Sequence, residues 1–161
     1  MKCDLLDSKR LSKIIIEESP DIIINLVALT DVDFCESNPA LALDLNANLV
    51  KEITNNIEKT NTKLLHVSTD HVYDSEGLSK ESDTSIRNTY AATKLEGDRH
   101  AELNESLIIR TNFFGKSLHS TRESFSDWIF NSLRKGITIH LYEDVFFNPL
   151  SMITLSEIIL D

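Results

Sequence analysis

An α/β fold built on a doubly wound parallel sheet is what this 161-residue sequence predicts, and three observations carry it. Asp21-Ile22-Ile23-Ile24-Asn25-Leu26-Val27-Ala28 is a continuous apolar run of strand length, as expected for a parallel strand covered on both faces. Longer segments with helical spacing separate it from further strand-like runs. Helix and strand alternate along the chain, which implies parallel strands joined by right-handed crossovers.

The elements follow in order. Ser8 to Ser19 carries Leu11, Ile14, Ile15 and Ile16 among polar neighbours and predicts a helix stopped before Pro20. After the first strand, Pro39 to about Lys59 reads as one long helix. Lys63 to Ser68 is the second strand, and Asp74 to Ser85, containing glycine and serine, is an irregular loop. A helix then runs from Tyr90 to about Glu102, followed by a strand from Leu107 to Arg110. Phe125 to Arg134 predicts a helix ending at Gly136, with Phe125, Trp128 and Ile129 spaced to pack in the core. Ile137 to Leu141 suits a further strand, and Thr154-Leu155-Ser156-Glu157-Ile158 a last helix. There are no internal repeats or evident linkers, so the chain reads as one domain, 1–161.

Composition excludes several classes. A hydrophobic fraction of 41% with four glycines and three prolines suits a folded globule. The net charge of −10 argues against nucleic acid and anionic membrane as partners. No run approaches membrane-spanning length and no signal peptide opens the chain, which predicts a cytoplasmic location. Cys3 and Cys35 are too few for a disulfide framework or a zinc site and read as buried or idle thiols. His66, His100, His119 and His140 show no ligand spacing, so no metal is predicted. Asp31, Asp33 and Glu36 suit a solvated loop or a helix N-cap better than a cation site.

The chemistry concentrates in two segments. Leu64-Leu65-His66-Val67-Ser68-Thr69-Asp70 is a buried strand whose end turns hydroxylic and acidic. Tyr90-Ala91-Ala92-Thr93-Lys94 places a phenol and an ammonium four residues apart, on one face of a helix. A free tyrosine, with a pKa of about 10, is a poor acid–base group at neutral pH. A nearby lysine charge stabilises the phenolate and lowers that pKa. Thr69 adds a second donor to a carbonyl oxygen on which charge develops. The pair also suits an ordinary surface contact; Thr69 at a strand end tips the balance toward a nucleotide-dependent reductase.

These residues carry a specific resemblance. His66-Val67-Ser68-Thr69-Asp70-His71-Val72-Tyr73-Asp74, Asn88-Thr89-Tyr90-Ala91-Ala92-Thr93-Lys94-Leu95-Glu96-Gly97 and Ile108-Ile109-Arg110-Thr111 resemble the extended short-chain dehydrogenase/reductase family. Within it they look most like the dTDP-4-dehydrorhamnose reductase (RmlD-like) branch, over nearly the whole chain. The resemblance implies a Rossmann-like, NAD(P)-binding fold with Thr69, Tyr90 and Lys94 as the catalytic set. It implies Asn46 as the helix asparagine that supports the proton relay. It places Asn25, Val27, Ala28 and Ser68 beside the cofactor, NADPH or NADH, with Asp4 and Leu5 near its adenine. Asp70, His71, Asn112, Asn148 and Pro149 fall on the substrate side, the last two in the turn Phe146-Phe147-Asn148-Pro149; local turn formation is an equally good reading there. Arg110 is either part of the site or purely structural.

Departures from the family narrow the reading. Sugar-nucleotide dehydratases carry Asp then Glu after the threonine, whereas Asp70 is followed by His71, which argues for keto reduction. The glycine-rich GxxGxxG turn that holds the cofactor pyrophosphate is not among these residues; the glycines are Gly77, Gly97, Gly115 and Gly136. The chain is expected to begin near the end of the family's third strand and to stop before its last substrate elements. Sheet edges and a helix face would then be uncovered, which predicts self-association as a homo-oligomer. The resemblance implies NAD(P)H-dependent reduction of a 4-keto-6-deoxy nucleotide sugar in deoxysugar and cell-surface polysaccharide biosynthesis. A non-catalytic relative, of the kind represented by the methionine adenosyltransferase regulatory subunit, or an inactive fragment, is the alternative.

Overall fold

The computed structural model describes residues 4–74, 77–118, 123–145 and 148–161. Cys3, His119, Phe146 and Phe147 lie outside the described residues. Four strands pair in the order β1 (Ile22–Asn25), β2 (Lys63–Thr69), β3 (Leu107–Phe114) and β4 (Pro149–Ser151). β1 and β2 are parallel in the register Ile22 to Lys63 through Asn25 to His66, and β3 and β4 are parallel with Asn112 opposite Pro149. Helices connect every step, so the sheet is the parallel α/β arrangement expected.

The chain divides into two compact units, Met1–Arg110 and Thr111–Asp161. In the first, α1 (Ser8–Glu18) starts on the Asp7 side chain, which accepts the Arg10 backbone N–H, and ends at Ser19. Leu11 and Ile15 of α1 pack with Leu49, Val50, Ile53 and Ile57 of α4 (Leu49–Ile57) and with Leu64 of β2. α2 (Val32–Ser37) is capped by Asp31, and α5 (Thr89–Glu102) by Asn88. The long helix predicted from Pro39 is continuous to Ile57, with one irregularity. Between α3 (Pro39–Leu43) and α4, residues Asp44–Asn48 form a π-helical turn. That turn presses its backbone against α5 at Gly97, where a β-carbon would overlap the carbonyl oxygen of Asn46.

β1 corrects one expectation. It spans four residues rather than eight, because the Asn25 side chain accepts the Val27 backbone N–H at 3.1 Å and turns the chain out of the sheet. Nor is it fully covered on both faces: Ile22 and Ile24, which share one face, are 60% and 42% exposed.

The second unit holds the end of β3, β4, α6 (Phe125–Arg134) and α7 (Met152–Leu160). α6 opens with a capping box between Ser124 and Asp127 and ends at Gly136, whose positive φ suits the residue after a helix. Two expectations fail here. Residues 137–141 form no strand; Ile137 and Leu141 are exposed and no neighbour pairs with them among the described residues, while β4 forms at Pro149 instead. Phe125 and Trp128 are not core residues: their rings stack on each other, centroids 5.7 Å apart, and stay partly open to solvent, so mutual contact replaces burial.

Candidate active site

The carboxyl end of β2 and the first turns of α5 bring the predicted catalytic residues together. Thr69 is buried at the last position of β2, and its Oγ1 accepts the His71 backbone N–H at 3.2 Å, starting the short 3-10 turn Asp70–Val72. Tyr90 is buried in the first turn of α5, and the Thr69 hydroxyl acts on its phenol. The His71 ring stands edge-on to the Tyr90 ring, with centroids 5.5 Å apart. Lys94 follows one helical turn on, is 1% exposed, and donates from Nζ to the Val67 carbonyl oxygen at 2.8 Å.

Helix α5 is held in place at both its start and its middle. Glu36 of α2 grips Thr89, the residue before Tyr90: one carboxylate oxygen accepts the Thr89 N–H at 2.6 Å and the other its hydroxyl at 2.8 Å. Asn46, fully buried in the π-helical turn, accepts the Leu29 N–H at 2.8 Å and donates to the Leu29 carbonyl and to Thr93 Oγ1. Its side chain is thus committed to tying the segment after β1 to α5. A π-helical turn aims one residue differently from a regular helix, and such turns recur at functional sites.

The electrostatics differ from the sequence expectation at one point. Tyr90 is not lowered. Burial pushes its phenol up, the Thr69 hydrogen bond opposes this, and the charges of Asp70, Cys35 and Asp98 push further up. Lys94 is itself lowered to about 8 by burial, partly offset by Asp98. The ammonium is directed to the Val67 carbonyl, and its charge acts on His66 rather than on the phenol. Tyr90 therefore stands as a protonated donor at neutral pH. Cys35 is buried, its thiol donating toward the Leu29 carbonyl at 3.4 Å and pushed up chiefly by burial.

The remaining predicted residues are distributed as follows. Leu5, Asn25 and Val27 line one apolar cleft of about 230 Å³. Asp4 is exposed and accepts the Leu6 N–H, and Ala28 is half-buried. Ser68 Oγ and Asp70 Oδ1 are buried with no hydrogen-bond partner among the described residues. In the second unit Asn112 and Pro149 are opposite one another in the β3–β4 pair, with Asn148 immediately before β4.

Sequence reasoning missed a buried polar chain beneath Lys94. Asn25 Nδ2 lies 3.1 Å from His66 Nδ1, His66 Nε2 lies 3.6 Å from Asp98 Oδ1, and Asp98 Oδ2 accepts Arg110 Nε at 2.8 Å. Arg110 Nη1 continues to the Tyr73 hydroxyl at 3.0 Å and the Glu81 carbonyl at 2.7 Å, which settles the role of Arg110 as an organiser of this chain. The signal for Asp98 was its spacing, one turn after Lys94 on the same helix face. Glu36 was legible only as an acidic residue near a helix start.

A parallel α/β sheet with a threonine at a strand end and a tyrosine and lysine on the next helix defines the extended short-chain dehydrogenase/reductase class. Residues 1–161 match the model of the RmlD substrate binding domain, and the chain belongs to that family. It is 32% identical over 154 residues to the probable low-salt glycan biosynthesis reductase Agl14 of Haloferax volcanii, covering 91% of this chain and 51% of that protein. The crystal structure of a hypothetical dTDP-4-dehydrorhamnose reductase from Sulfolobus tokodaii matches with a TM-score of 0.90 and 35% identity, over 99% of this chain and 57% of that one. The fold also matches a dTDP-4-dehydrorhamnose reductase from Bacillus anthracis, solved with NADP, at a TM-score of 0.87 and 22% identity, over 98% and 57% of the two chains. The chain thus spans about half the length of the relatives it matches.

Proposed function

We propose that this chain is a reductase domain that uses NADPH or NADH to reduce a 4-keto-6-deoxy nucleotide sugar of the dTDP-4-dehydrorhamnose kind. The observation that most supports this is the burial of Thr69, Tyr90 and Lys94 where β2 ends and α5 begins, with Lys94 Nζ on the Val67 carbonyl and the Tyr90 ring against His71. Tyr90 gives its phenolic proton to the carbonyl oxygen of the sugar. Thr69 holds that oxygen in line and donates a second hydrogen bond as charge builds on it. Lys94 supplies a fixed positive charge below the phenol. The nicotinamide, when bound, supplies the hydride.

The residues present fit such a cofactor. The Ser68 hydroxyl, without a hydrogen-bond partner among the described residues, lies on β2 next to Thr69, and Leu5, Asn25 and Val27 line an apolar cleft against Leu11 and Ile15 of α1. With Asp4, Ala28, Asn46, Tyr90 and Lys94 they form the cofactor set. Asp70, whose buried Oδ1 lacks a partner among the described residues, and His71 are the substrate-side residues of the first unit. The absence of a glutamate after Asp70 favours reduction over dehydration. This reading assigns a cytoplasmic setting, a single reductase domain over 1–161, and self-association through the exposed β1 face.

The test is turnover of a dTDP-4-keto-6-deoxy sugar, followed by nicotinamide absorbance. Tyr90→Phe is expected to lower kcat by about 10²–10⁴-fold with KM little changed. A folded chain without turnover, or a Tyr90→Phe variant with wild-type kcat, would favour the non-catalytic relative instead.

A further inference from the structure

Lys94, His66 and Asp98 are three ionisable side chains with at most 1% exposure, and the proton-donor chemistry above uses only the first. The hydrogen bonds around them determine where the protons are. Asn25 Oδ1 accepts the Val27 N–H, which fixes the orientation of the Asn25 amide. Its Nδ2 must then donate to His66 Nδ1, so that nitrogen is the acceptor. A neutral His66 ring consequently carries its proton on Nε2, pointing at Asp98 Oδ1 across 3.6 Å. That separation is a few tenths of an ångström beyond a hydrogen bond, and neither atom has a hydrogen-bond partner among the described residues.

We propose that Asp98 is a positioning residue for the reductase site: its carboxylate holds the charge of buried Lys94 in place and faces the His66 Nε2–H, in the tautomer that the Asn25 amide sets beside the Asn25–Val27 turn. Both ends of this relation are geometric. Asp98 sits one helical turn after Lys94 on α5, while its other oxygen is anchored by Arg110 on β3. The carboxylate is therefore anchored and cannot swing away. Through His66 and Asn25 it reaches the backbone N–H of Val27, on the segment assigned to the cofactor. The other titratable groups linked to the cluster are Tyr90 on α5, on whose phenol the Asp98 charge acts, and Arg110 on β3, which also bonds Tyr73. Of these only Arg110 bonds Asp98 directly. The lowering of His66 to about 3, by burial and by the Lys94 charge, agrees with a neutral ring beside a charged lysine.

The functional part of this proposal rests on Lys94 serving the reductase site, but its test does not. Nitrogen-15 NMR of the 161-residue chain reads the His66 tautomer and the Lys94 amine titration without any ligand. The expected result is a neutral Nε2–H ring from pH 5 to 8, and a Lys94 midpoint that falls by about one pH unit or more in Asp98→Asn. Asp98→Glu should restore most of that fall. An Nδ1–H ring in the wild-type chain would overturn the proposal, as would an unmoved Lys94 midpoint in folded Asp98→Asn. Should Asp98→Asn not fold, the wild-type tautomer and the Asp98→Glu titration decide. The expected spectra with no NADPH turnover would remove the reductase reading and leave the Asp98 relation standing.

Discussion

The backbone carbonyl of Asn46 occupies the space that a β-carbon on Gly97 would need. Two helices thus approach at the one point where the chain has both a π-helical turn and a glycine, and the approach sets the height of α5, and hence of Tyr90 and Lys94, over the end of β2. Gly97→Ala would stabilise an exposed helix by about 1 kcal/mol. At this site it is expected to destabilise by about 2–4 kcal/mol, because backbone must move to admit the methyl group. Urea denaturation of the variant checks both sign and size.

Asn46 makes three hydrogen bonds from a fully buried side chain, two of them to the backbone of Leu29. Asn46→Ala strands those groups and should cost about 2–4 kcal/mol. Asn46→Asp keeps the acceptor for the Leu29 N–H but loses both donors, so its unfolding midpoint is expected to fall as well. A midpoint unchanged in both variants would contradict the role given to the turn.

His66 makes the fold acid-sensitive. Its ordinary value of 6.5 is lowered to about 3 in the folded chain, first by burial and then by Lys94. Between those values the unfolded chain binds a proton that the folded chain does not, so stability falls as pH falls from about 6.5 to about 3 and is level above that window. The loss is on the order of a few kcal/mol. Urea midpoints measured across this range, with His66→Gln as comparison, should show the slope in the wild type and a smaller one in the variant.

Much of the fold was legible because its signals are local. Pro20 stops α1, Asp31 suits the helix N-cap that it forms, and Tyr90 and Lys94 share a helix face by spacing alone. The failures share a cause: they depend on what is absent or distant. The run from Asp21 to Ala28 is apolar enough for a strand buried on both faces, but the Asn25 side chain bends it and its outer face is open. Ile137 to Leu141 has strand-like residues and no strand beside it. Trp128 has core spacing and packs on Phe125 instead. In the site, Thr69, Tyr90 and Lys94 were readable as a motif. The linkage of His66 to Asp98 was not, since it joins residues from β2 and α5 and no short-range pattern marks a histidine as a bridge.

Glu36 should act on the same helix from the opposite end. Its lowered carboxylate, held by the Thr89 N–H and hydroxyl, pins the residue before Tyr90. Glu36→Ala is expected to speed hydrogen exchange in the first turn of α5 while leaving exchange near Ala101 unchanged. Uniform loss of protection along α5 would mean that Glu36 supports the whole helix rather than the position of Tyr90.

Tyr90, Thr69 and Lys94 are proposed to serve a nicotinamide cofactor, and cofactor binding is the sharpest check. Titration of NADPH, then NADH, into the purified chain, followed by nicotinamide fluorescence, should give saturable binding in the micromolar range, retained in Tyr90→Phe. No binding at millimolar cofactor, from a chain shown to be folded, would contradict the account and mark the three side chains as inherited rather than used.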